Sequence, residues 1–187
     1  MTVEKYSLAA RLVHWVMALG FIFMWSCGYA MTTLIEEDSA LEELLFRLHI
    51  STGVTLLFLL LLRIAIRFMR APPPLPGTIS GLERVGAHAG HAALYLLPAL
   101  IIGIGWAETD FGGHGVVWFA VDMPKVFPTL ETLAGFNLEE LTATLHKWLA
   151  YTMLGVAVVH VAAVAKHRWI DRHDVLQRMT ISWRKAT

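Results

Sequence analysis

The sequence has almost no thiol chemistry to offer. Cys27 is the single cysteine among 187 residues, so no disulfide can close within the chain, and no all-thiolate zinc or iron–sulfur site can be built from it alone. Charge is scarce too: 16% of residues are charged and the formal net charge is zero. That balance gives no electrostatic footprint for a nucleic-acid partner. The N-terminal stretch has no clear small-residue cleavage site after it and is longer than a typical signal h-region, so it is read as a retained first membrane helix. The apolar runs do not alternate with polar residues, which excludes a transmembrane β-barrel. No internal repeat is evident.

What fills the chain instead is hydrophobic residues, 56% of the total at a mean hydropathy of +0.57. A soluble domain of this length is more polar. The residues gather into four runs long enough to cross a hydrocarbon layer of about 30 Å as helices: about 9–31, 44–68, 88–107 and 145–164. The predicted fold is all-α, an up-down transmembrane four-helix bundle forming one domain over 1–187, with a tail from 165 to 187. The proline-rich "RAPPPLPGTISG" at 70–81 must break the helix between spans two and three. The connection from 108 to 144 is the longest and carries several Gly and Pro residues.

The signs of the charges segregate. Lys5 and Arg11 precede span one; Arg63, Arg67, Arg70 and Arg84 lie between spans two and three; Lys166, Arg168, Arg172, Arg178, Arg184 and Lys185 follow span four. Only Arg47, Lys125 and Lys147 fall on the other side, among many acidic residues. The positive-inside rule then puts both termini in the cytoplasm; with the membrane taken as a bacterial inner (plasma) membrane, the acidic loops are periplasmic and the chain is a multi-pass protein in contact with lipid.

Nine histidines are the unusual component. His14 opens span one and His49 opens span two, at opposite ends of the bundle. Span four carries His146 near one end and His160 near the other. Fourteen residues at about 100° each fall roughly 40° short of four turns, so both imidazoles share one face, roughly 21 Å apart along the axis. Each depth thus holds one histidine from span four and one from another helix. Low-spin haem iron needs two axial ligands on opposite sides of a flat macrocycle, which facing helices can supply. The spacing predicts two haems, ligated by the pairs His14/His160 and His49/His146, with Met153 midway between them and Gly53 giving room for a macrocycle. A lone histidine in a membrane helix can instead hydrogen-bond across an interface. Zinc, the competing metal, prefers three or four ligands at one place.

The chain resembles the bacterial cytochrome b561 family of short, four-helix, di-haem membrane proteins. The motifs that carry the likeness are "RLVHW", "RLHISTG", "HAGHAALYLL", "WFAVDMP" and "LHKWLAY…HVAAVAKH", running from about Tyr6 to Met179. The resemblance implies haem ligands at His14, His49, His146 and His160 in the same pairs. It also allows superoxide oxidation coupled to ubiquinone reduction.

Around these ligands, His88 and His91 begin span three one turn apart and offer a quinone site, or else contact headgroups or a haem propionate. Arg47 and Lys147 flank ligand histidines and are propionate partners or snorkelling side chains. Arg11, Arg63 and Lys166 could serve the same purpose at the other end. His114 reads as a loop residue, while the tail with His167, His173, Trp169 and Trp183 reads as an interfacial helix or, alternatively, a docking surface for a partner. The expected function is a quinone-linked oxidoreductase joining a periplasmic one-electron donor to the ubiquinone pool, with a homodimer among the oligomeric states left open. The alternative is a cytochrome b anchor and electron conduit within a larger dehydrogenase or hydrogenase. The acidic loops sit poorly with an anionic donor such as superoxide and suit a basic redox protein.

Overall fold

The computed structural model describes residues 4–74, 79, 81–172 and 175–181. Helices dominate: α1 is Leu8–Tyr29, α2 is Ala40–Met69, α3 is Gly81–Phe111 and α4 is Leu138–Trp169. All four are long and apolar enough to cross a membrane, α1 together with the π turn Ala30–Leu34 that follows it. Helical structure overruns the apolar runs because the caps lie beyond them. Ser7, Ser39 and Asn137 accept from the amides of Ala10, Glu42 and Glu140, each satisfying one orphan donor of a first turn.

The helices run alternately up and down. α1 packs along α2, and α3 packs along α4; the seam between α2 and α3 is thinner. A small apolar core of Val13, Met17, Leu56 and Leu60 sits between α1 and α2, with Tyr95 and Ile102 of α3 against it. Most other large apolar side chains point outward, as expected of helices solvated by lipid rather than water.

One end of the bundle, here called the loop end, is covered by residues 112–137. This segment holds two short antiparallel hairpins, β1 Val117–Trp118 with β2 Val121–Asp122, and β3 Thr132–Leu133 with β4 Phe136–Asn137. The first hairpin docks on α2: Phe119 N–H donates to Ser51 Oγ at 2.8 Å, and Trp118 Nε1 donates to Thr55 Oγ1 at 3.1 Å. The segment is also held from α3. Asp110, fully buried, accepts from the amides of Val126 and Phe127 at 2.9 and 3.0 Å.

The other end carries both chain termini and the α2–α3 connection. α2 stops at Met69, ahead of the prolines. The tail departs from the expected interfacial helix: beyond Trp169 the described residues form a turn and one 3-10 turn, Leu176–Arg178. Its main-chain groups are engaged by α1 and the N-terminus instead, Tyr6 N–H donating to Arg178 O at 3.1 Å. His173, Trp183, Arg184 and Lys185 lie outside the described residues.

Candidate functional site

α4 is the shared element. His146 and His160 lie on it with the buried Met153 between them in sequence. At the loop end, His146 Nδ1 is 3.0 Å from the carbonyl oxygen of Ile101 on α3. A carbonyl only accepts, so Nδ1 carries the proton and Nε2 keeps a free lone pair. That is the tautomer a metal-ligating histidine holds when a second partner orients it. His49 of α2 faces it, the two ring centroids 6.1 Å apart and the planes inclined by 65°. His49 Nδ1 is buried with no partner among the described residues.

Two glycines make this arrangement possible, and sequence reasoning missed both. A Cβ on Gly105 would stand 2.8 Å from His146 Cε1 and 2.9 Å from Nδ1, closer than any real contact. A Cβ on Gly28 would meet His49 Cε1 at 3.4 Å. Each imidazole therefore lies over bare backbone of a neighbouring helix. Gly53, expected to leave room for a macrocycle, has Met24 of α1 beside it, where a Cβ would make an ordinary 3.6 Å contact.

At the terminal end the structure assembles more imidazoles than a pair. His160 has His91 of α3 at 5.8 Å between ring centroids. His14 of α1 lies within electrostatic reach of His160, His91 and Arg63. Arg63 Nε donates to the Tyr95 hydroxyl at 3.2 Å, and the guanidinium groups of Arg63 and Arg67 both lie over the Tyr95 ring, 5.4 and 5.6 Å from its centre. His88 does not join them. It is exposed, with Nδ1 2.7 Å from the Arg84 carbonyl of its own helix. The one-turn spacing of His88 and His91 is thus split between an outer and an inner face of α3.

The expected propionate partners are dispersed. Arg47 and Lys147 are exposed at the loop end. Arg11 Nη1 donates to the Thr180 carbonyl at 2.7 Å. Lys166 is committed to Glu83 and Asp171, both at 2.7 Å. That hydrogen bond from Lys166 holds the Asp171 carboxyl below its ordinary range. Near the loop-end pair, a cleft of about 650 Å³ is lined by Asp38, Glu42, Glu43, Glu108, His114 and Glu139, with Ile50 beside His49 on its wall. His114, read as a loop residue, is 3.5 Å from Glu139 there.

The chain matches the family described as prokaryotic cytochrome b561 over residues 5–181. It is 34% identical over 183 residues to "Cytochrome b561 homolog 2" of Escherichia coli (strain K12), covering 95% of this chain and 92% of that protein. It is 27% identical over 180 residues to "Probable superoxide oxidase CybB" of Yersinia pestis, covering 94% of this chain and 96% of that one. With four membrane-crossing helices and histidines gathered at both ends of the bundle, the match over nearly the whole length agrees with the architecture. The chain belongs to the prokaryotic cytochrome b561 family, as a multi-pass protein of the bacterial inner membrane with a haem b electron-transfer role.

Proposed function

We propose that this protein is a di-haem oxidoreductase, carrying electrons between a one-electron donor at the loop end and ubiquinone in the membrane. The pairs His49/His146 and His14/His160 would each hold one haem b, which supplies one-electron chemistry at iron when bound. The segregation of basic residues supports a cytoplasmic terminal end and a periplasmic loop end.

The observation that carries this reading is the geometry of His49 and His146. A metal–imidazole bond is about 2 Å and a ring nitrogen stands about 1 Å from its ring centre, so two imidazoles on opposite sides of one metal have centres about 6 Å apart. The 6.1 Å separation, the fixed tautomer of His146, the orphaned nitrogen of His49 and the glycines beneath both rings fit an iron macrocycle held here. At the other end, packing favours His14 over His91 as the partner of His160. α3 and α4 are tightly packed neighbours, so the space between His91 and His160 is a helix–helix seam; α1 has no such seam with α4.

Around each haem the chain's own residues do the rest. The Ile101 carbonyl orients His146, and the apolar side chains between the two depths exclude water. His91, with Tyr95 and Arg63 beside it, offers hydrogen bonds to quinone oxygens, while His88 stands at the outer surface of the same helix.

The relative named as a probable superoxide oxidase supports superoxide as donor. The acidic cleft favours a second donor class, a basic redox protein, because like charge repels an anion and opposite charge steers a partner. The test is haem content and absorption of purified protein. Two haems with a sharp reduced α-band are expected, and His146→Ala and His160→Ala should each remove one. Two haems retained in both variants would overturn the assignment.

A further inference from the structure

The main chain at residues 178–180 is contacted three times in succession, once from Tyr6 just before α1 and twice from α1 itself. The carbonyls of Arg178, Met179 and Thr180 accept from Tyr6 N–H at 3.1 Å, Trp15 Nε1 at 2.9 Å and Arg11 Nη1 at 2.7 Å. The Arg178 side chain secures this segment from its other side. Its Nη2 donates to the Pro74 carbonyl at 2.8 Å and its Nε to the Glu4 carbonyl at 3.3 Å. Five hydrogen bonds thus tie the tail to the chain start and to the α2–α3 connection, each spanning more than a hundred residues of sequence.

The α1 residues so held are the ones around His14. Arg11 is one turn before it on the same side of the helix. Trp15 follows it directly, with ring centroids 5.3 Å apart and planes tilted by 58°. Arg11 Nε is buried with no partner of its own, so the bond to Thr180 is its guanidinium's described anchor. Without the tail, the first turns of α1 rest on the single Ser7 cap and would fray as helix ends do. A ligand side chain must be held within about 10–20° of its productive direction, and that demands neighbours that are themselves locked.

We propose that the 178–180 segment is a strap that positions His14, acting through Arg11 and Trp15. The inference rests on the reading of His14 as an axial ligand. Arg11, Trp15 and Arg178 are then positioning residues for one end of the electron path and are silent at the other.

The test uses full-length, haem-loaded protein and reads the low-temperature electron paramagnetic resonance signal and midpoint potential of each haem. His14→Ala and His49→Ala assign the two signals. Trp15→Phe, which keeps an aromatic ring and removes the N–H, and Arg178→Ala are expected to shift and broaden the His14 signal while the His49 signal stays at its wild-type position. Arg11→Lys, which keeps the charge, should do so less. Wild-type signals in Trp15→Phe and Arg178→Ala, or equal movement of both signals, would overturn the strap. Should Arg178→Ala not fold, Trp15→Phe decides alone. A His14→Ala protein that keeps both signals would sink the ligand assignment and the strap with it. One that loses a single signal, while the strap variants change nothing, sinks only the strap.

Discussion

Gly105 shows how much a missing methyl group can decide. His146 occupies the place a Cβ would take, and packed interiors have no slack to move an imidazole aside. Gly105→Ala should therefore push the ring off the Ile101 carbonyl and release the loop-end haem, leaving about half the haem content in a pyridine haemochrome assay. Gly28→Ala meets His49 at a distance that a few tenths of an ångström relieves, so it should keep both haems with a shifted spectrum. Equal loss in the two variants would contradict this ranking. The four proposed ligands were legible from sequence because polar residues are rare enough in membrane helices to be counted and placed by depth. The glycines beneath them were not, because which of fourteen glycines faces an imidazole depends on how one helix is rotated against another.

Helices announce themselves when the bilayer demands twenty apolar residues in a row, and all four were found where the runs lay. The loop hairpins gave no such signal: strands of two residues are too short for alternation to register. Two hydroxyls of α2, Ser51 and Thr55, hold the first hairpin. Ser51 is 3% exposed, accepts from Phe119 and donates to the Val117 carbonyl at 3.4 Å. Ser51→Ala removes the acceptor of the Phe119 N–H and should cost about 0.5–1.5 kcal/mol of local stability. Faster amide exchange at Phe119 than in wild type is the readout. The tail was misread for a different reason. Its basic and aromatic composition matches a lipid-surface helix, yet its carbonyls are committed to α1. Nearby, Asp171 titrates below its ordinary value because Lys166 donates to it. The stabilisation it lends to the α4 end is present above the unfolded-state value near 3.8 and is lost as pH falls through the lower folded value. Exchange rates of the last α4 amides should accordingly be flat from neutral pH down to about 5 after correction for intrinsic chemistry, and rise only below about 4.

Taken whole, the molecule has opposite electrostatic characters at its two ends, a feature that sequence displays fully because it needs only the order of spans and the sign of residues. The acidic cleft lies at the end of the His49/His146 pair. If superoxide is the donor, its reaction with oxidised protein should accelerate as salt is added, because screening removes repulsion within a Debye length of about 10 Å. A basic donor protein should slow under the same change. Stopped-flow haem reduction at ionic strengths from 0.01 to 0.5 M, taken as order-of-magnitude bounds, separates the two by the sign of the slope. A salt-independent rate for both would remove the cleft from the encounter.

Because α4 bears His146 and His160 without interruption, the interval between these two imidazoles is set by the helix rise and not by any loop. If each holds a haem as proposed, loops can lengthen and partners can change while the hop stays nearly the same length. Natural variants would then adjust electron flow through driving force, by altering what surrounds each imidazole.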